Sequence, residues 1–251
     1  MAGLTDAQLE RYARHIVLRE VGGGGQARLL AAHVVVIGAG GIGSPAIQYL
    51  AAAGVGQLTI VDDDRVDLSN LQRQTLFSEA DLGQPKAERA AAAAMRLNPD
   101  VNAVAQVVRI AADNAESLIA GADVVLDGCD NFATRLTVAD AALAARIPLV
   151  SAAVTQFDGQ LGVYRGWEAH RPCYACVVGT APERPGTSCA EVGVMGAMAG
   201  VIGSMAALEA IRAIAPFGEE MAGKLVIADG LTMRFRTLTV PKDPGCPRCG
   251  R

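Results

Sequence analysis

The sequence predicts an α/β protein on a doubly wound sheet, parallel through about residue 150 and mixed or antiparallel beyond it. Three observations predict it. Short β-branched runs alternate with helical stretches from His33 to Ser151. The first of these runs ends in a glycine-rich turn that opens a helix. After Ser151 the alternation stops and turn residues, short strands and paired cysteines take over. Of the 251 residues 51% are hydrophobic and 19% charged, enough apolar surface for one large core, so a single domain of two halves is expected, about 1–150 and 151–251.

Each element has a local reason. Thr5-Asp6-Ala7-Gln8 forms a capping box, and Leu9, Ala13, Ile16 and Val17 follow at helical spacing. Four glycines at 22–25 are expected to end that helix. Residues 33–38 read as a strand, 42–54 as a helix and 57–62 as a second strand. The next helix starts near Pro85, a residue suited to a first turn. Strands are predicted at 101–108 and 122–127, a helix at 132–146 and a strand from Pro148. Residues 156–165 predict a hairpin turning at Asp158-Gly159. A Pro/Gly/Cys-rich loop is expected from Arg171 to Cys189, then a buried helix, strands at 224–229 and 233–240, and a cysteine-rich tail.

Charge and hydropathy exclude some functions. A net charge of -4 argues against nucleic acid, whose binders carry a basic surplus. Asp6 and Glu10 stand where a signal peptide would be basic and apolar. The apolar helix at 195–214 carries Glu209 and Arg212, which suit a core helix better than a membrane span. A cytoplasmic protein with no membrane contact is expected, and its six cysteines are then expected to be reduced.

Gly38, Gly40 and Gly43 form G-x-G-x-x-G between a strand and a helix, with Gly41 beside them, letting the backbone approach a phosphate at the helix N-terminus. About twenty residues on, Asp62 ends the next strand, placed to accept hydrogen bonds from ribose hydroxyls. This Rossmann-like pattern does not separate NAD from ATP. Asp63 and Asp64 read as solvated charges. The run Ser69-Asn70-Leu71-Gln72-Arg73-Gln74 and the later Lys86 suit triphosphate chemistry, in which charge is stabilised as pyrophosphate leaves. As surface charges Arg73 and Lys86 would need no such explanation. Asp130 stands at the end of another strand, where it could hold Mg²⁺, although it or Asn131 could instead cap the next helix. Cys129 reads as a small buried residue.

Cys173-x-x-Cys176 and Cys246-x-x-Cys249 supply two hooks of two thiolates, the set for a tetrahedral structural Zn²⁺ tying the loop to the tail. His15, His33 and His170 show no triad or metal spacing.

The glycine turn, Ala53-Gly54-Val55-Gly56, Asp62, the 69–74 run, Gln84-Pro85-Lys86, Cys129-Asp130-Asn131 and the cysteine pairs resemble, in order, the ThiF/MoeB/HesA superfamily. These are the bacterial relatives of ubiquitin-activating enzymes. The resemblance implies ATP adenylylating the C-terminal glycine carboxylate of a small ubiquitin-like sulfur-carrier protein ending in Gly-Gly, in molybdopterin or thiamine biosynthesis. It puts Asp62 on ribose, Gly41 and the 69–74 run with Asn131 along the nucleotide, Asn70, Arg73 and Lys86 on phosphates, and Asp130 at Mg²⁺. It also implies a homodimer in which Arg14 reaches the partner's ATP, and a thiol, Cys189, able to attack the acyl-adenylate. Two rivals stay open: an NAD-dependent oxidoreductase, which leaves Lys86 and the cysteine pairs unexplained, and a non-catalytic zinc-organised binding module. Within the family, Asp62-Asp63-Asp64 and Asn131-Phe132-Ala133-Thr134-Arg135 lean to the thiamine type, and Thr187-Ser188-Cys189 with Glu191-Val192-Gly193-Val194-Met195 to the molybdopterin type.

Overall fold

A computed structural model of the chain describes residues 3–180 and 193–250. Its strands are β1 (His33–Ile37), β2 (Gln57–Val61), β3 (Asn102–Gln106), β4 (Val124–Asp127), β5 (Leu149–Thr155), β6 (Asp158–Tyr164), β7 (Lys224–Asp229) and β8 (Arg234–Thr239). They form one sheet in the order β3-β2-β1-β4-β5-β6-β7-β8. Pairing is parallel from β3 to β5 and antiparallel from β5 to β8. The predicted change of character near residue 150 is therefore a change of strand direction, with β5 belonging to both halves.

The helices are α1 (Asp6–Arg11), α2 (Ala13–Ile16), α3 (Gly22–Ala31), α4 (Gly43–Ala52), α5 (Lys86–Leu97), α6 (Ala115–Ile119), α7 (Phe132–Ala145), α8 (Tyr174–Val178) and α9 (Gly196–Ile214). Successive residues of β1 face opposite sides of the sheet, as a period of two requires. Val34 and Val36 join Ile47 and Leu50 of α4, Ala90 of α5 and Ile202 of α9 in one core. Val35 and Ile37 join Ile119 of α6 and Leu136 and Val138 of α7 in the other. By length and composition α9, with a mean hydropathy of 1.5, matches a membrane span. Here it packs on α4 and on β4 to β6, and its Glu209 pairs with Arg212 at 3.0 Å.

Two expectations are corrected. The glycines at 22–25 begin α3 rather than merely ending the preceding helix. Gly25 packs so closely that a Cβ there would stand 2.9 Å from Val21 Cγ1. The hairpin turns at Gln156 and Phe157, with Thr155 paired to Asp158, so Asp158-Gly159 lies inside β6. Ile202 of α9 covers Gly159, where a Cβ would meet Ile202 Cδ1 at 2.4 Å. That glycine admits a helix; it does not make the turn. The predicted loop from Arg171 contains α8, and Cys189 lies outside the described residues.

Candidate active site

A cleft of about 510 Å³ opens at the carboxyl ends of β1, β2 and β4, where open α/β sheets receive ligands. Its glycine turn is sterically enforced. Gly38 has φ +88°, and a Cβ on Gly43 would lie 1.9 Å from Gly38 O. Asp62 closes the turn from β2: Ala39 N–H donates to Oδ2 at 2.7 Å and Asp64 N–H to Oδ1 at 2.8 Å. Burial pushes the Asp62 carboxyl above its ordinary value, with those two N–H groups working the other way.

The cleft wall includes Gly40, Gly41, Asn70, Arg73, Gln74, Lys86 and Asp130. Lys86 opens α5 and is buried, its Nζ donating to the Asp64 carboxylate at 2.9 Å. Arg73 lies against Gly41 and donates from Nη1 to Ser69 O at 3.0 Å. Gln74 is buried, and its Oε1 has no hydrogen-bond partner among the described residues. The exposed Asp130 side chain faces both this cleft and a second pocket of about 190 Å³, lined by Val108, Arg109, Ile110, Asn131 and Thr134 on the other side of Asp62.

Some of the expected residues stand apart. Ser69 contributes its carbonyl to Arg73, Leu71 packs against the core, and the Gln72 carbonyl abuts Gly196. Asn131 caps α7, accepting from Thr134 N–H at 2.8 Å. Arg14 is exposed on α2, outside this cleft. Other wall residues were given no site role from the sequence. Asp64 is solvated, as expected, and is also the partner of Lys86, a role hidden because the two are 22 positions apart. Arg135 pairs with the buried Asp127 at 3.4 Å and donates to the Cys129 carbonyl, behind the strand end that carries Asp130. Cys129 is a thiol whose acidity burial strongly suppresses, with the Asp127 charge adding to it.

At a separate place the four cysteines converge. Sulfur separations are 3.8 Å for Cys173–Cys176, 3.6 Å for Cys173–Cys246 and 3.4 Å for Cys176–Cys249. A zinc about 2.3 Å from four thiolates holds its sulfurs about 3.8 Å apart, so the set fits a tetrahedral ion. Burial works against a Cys246 thiolate, but N–H groups of Cys249 and Arg248, together with hydrogen bonds from the Cys173 and Cys176 thiols, lower the thiol to about 7.

Residues 12–248 match the family model described as ThiF family. The chain is 47% identical to the SAMP-activating enzyme E1 of Haloferax volcanii, over 98% of this chain and 91% of the relative. It is 45% identical to the sulfur carrier protein adenylyltransferase of Thermus thermophilus, over 98% and 92%. It is 44% identical to the molybdopterin-synthase adenylyltransferase of Escherichia coli, over 100% of both. Among solved structures it resembles E. coli MccB with ATP, at TM-score 0.80 and 22% identity over 96% of this chain and 73% of that one, a likeness of fold. Matched over almost all its length, the chain belongs to the ThiF family.

Proposed function

We propose that the protein is an ATP-dependent adenylyltransferase that activates the C-terminal glycine carboxylate of a small ubiquitin-like sulfur-carrier protein. The observation that carries this reading is the meeting of the glycine turn, Asp62, Arg73 and buried Lys86 in one cleft with Asp130 at its edge. A dinucleotide oxidoreductase does not need Asn70, Arg73 and Lys86 together beside the phosphate turn, whereas pyrophosphate departure does. The relatives named as adenylyltransferases support the same reading over whole chains.

In this scheme Gly41 and its neighbours receive the phosphates, Asp62 accepts from the ribose hydroxyls, and the pocket beyond it near Ile110 and Thr134 takes the base. The carrier carboxylate attacks the α-phosphorus, the bond to the bridging oxygen breaks, and pyrophosphate leaves with the electron pair. Two anions must approach each other, so catalysis is positioning and charge stabilisation, needing no side-chain nucleophile. Lys86 and Arg73 offset phosphate charge; Asn70 supplies an amide at the same wall. Asp130 would hold Mg²⁺, which when bound neutralises the phosphates. Arg14 is exposed and absent from its own cleft, which suits service to the partner's cleft in a homodimer. Cys173, Cys176, Cys246 and Cys249 would hold a structural Zn²⁺ that joins α8 to the tail, and both halves act as one domain.

Of the two pathways, molybdenum cofactor synthesis is favoured by the molybdopterin-synthase relatives. The proposal is tested by ATP–pyrophosphate exchange in the presence of carrier. Asp130→Ala is expected to abolish exchange while fold and zinc content persist; near-normal exchange would remove Asp130 from the site.

A further inference from the structure

We propose that Tyr12 and His15 are positioning residues that aim Arg14. The inference rests on the reading that Arg14 serves the partner's cleft. Between residues 3 and 20 only Tyr12, 2% exposed, is buried, so few groups hold this arm to the body. Tyr12 is also the joint between α1 and α2, and its carbonyl accepts from His15 N–H at 2.9 Å and Ile16 N–H at 3.0 Å. A four-residue helix such as α2 has no stability of its own, and its direction depends on such anchors.

Both anchors end at the same place, the C-terminal end of α4. The Tyr12 hydroxyl donates to Asp100 Oδ2 at 3.1 Å and accepts from Asn98 Nδ2 at 2.9 Å. Asn98 Nδ2 also donates to Ala51 O at 2.7 Å. The fully buried Gln26 donates from Nε2 to Ala53 O at 2.9 Å, which leaves its Oε1 as the acceptor for His15 Nδ1 at 3.0 Å. That network assigns the His15 proton to Nδ1. The Tyr12 ring closes over Gly54, where a Cβ would stand 2.5 Å from Tyr12 Cζ. Each flanking residue thus reaches a terminal carbonyl of α4 through one buried amide. The Arg14 side chain, between them, makes no hydrogen bond or ion pair among the described residues. The N-terminus of α4 is the phosphate turn of the subunit's own cleft. One helix therefore carries a phosphate site at one end and the mounting of Arg14 at the other.

Mixed dimers separate this role from a structural one. One subunit carries Lys86→Ala and the other Arg14→Ala, so the single working cleft is the second subunit's, served by the first subunit's Arg14. This reference pair must be active; an inactive pair overturns the service of Arg14 to its partner, before any change at Tyr12, and the aiming role with it. Given activity, Tyr12→Phe on the Arg14-donating subunit is expected to lower kcat by about tenfold or more with little change in carrier KM. The same change on the subunit that lacks Arg14 is expected to leave the rate unchanged. His15→Ala should show the same dependence on placement. Equal losses in both placements, or no loss in either, would overturn the proposal.

Discussion

Lys86 Nζ meets Asp64 Oδ2 at 2.9 Å although the lysine side chain is 6% exposed and the aspartate 68%. The ammonium is inside the cleft and its partner is in water. An exposed carboxylate contributes little to stability through such a pair, but it holds the buried ammonium in place in the cleft. Lys86→Ala is expected to lower kcat by roughly 10²–10³-fold, the usual loss for one transition-state donor. Asp64→Asn should bind ATP at least as tightly as the parent, because ATP no longer competes with a carboxylate. Carrier-dependent pyrophosphate exchange and ATP calorimetry read the two effects.

Asp62 predicts a pH dependence. Burial holds its folded-state value above the ordinary 3.8, with the Ala39 and Asp64 N–H groups opposing the rise. For an acid raised on folding, the contribution to ligand-free stability is full below the unfolded value and is lost as pH rises through the folded one. Ribose hydroxyls favour the ionised form, so ATP affinity should fall as pH drops through that raised range. In Asp62→Asn affinity should be weaker at neutral pH and lack this dependence. Calorimetry between about pH 4 and 7 brackets the carboxylate range; a slope unchanged in the variant would contradict the assignment.

The cysteine cluster predicts about one zinc per chain in reduced protein. Chelation or Cys246→Ser should remove the metal and lower the melting temperature, because the two hooks lie 73 residues apart and an ion held by all four thiolates would tie them together. ATP binding should survive, since none of the four cysteines lines the nucleotide cleft. Metal analysis, thermal melting and calorimetry on one preparation check all three.

Arg135→Met tests the support behind Asp130. The guanidinium, 9% exposed, pairs with Asp127, 1% exposed, and Ser151 Oγ donates to the same carboxylate at 2.9 Å. Removing one partner of a buried pair strands the other charge and costs about 3–5 kcal/mol. Urea unfolding should show a loss of that order; a loss below about 1 kcal/mol would mean the Asp127 charge is satisfied without Arg135.

The parallel half was legible because β1 and its glycine turn announce themselves locally: β-branched residues, then a turn only glycines fit. What was hidden depended on distant partners. Gly25 and Gly159 look like breakers in sequence, yet each admits a neighbouring side chain, Val21 in one case and Ile202 in the other. Asp64 is solvated as its neighbours suggest, and what stayed hidden is its partner Lys86, which opens α5 22 positions away. Arg135 gave a helical signal alone; its bond to Asp127 spans a strand end and a helix turn. The cysteine hooks were legible as pairs, and folding adds that their sulfurs lie within 4.8 Å of one another.

The central claim is adenylyl transfer to a carrier carboxylate. It is tested most directly by the intact mass of a molybdopterin-type and a thiamine-type carrier after incubation with the protein and Mg-ATP. The account predicts an AMP adduct on the molybdopterin-type carrier, lost when its terminal glycine is removed. An adduct on the thiamine-type carrier alone would keep the chemistry and reassign the pathway. No adduct on either carrier, from protein that binds ATP and holds its zinc, would contradict the account.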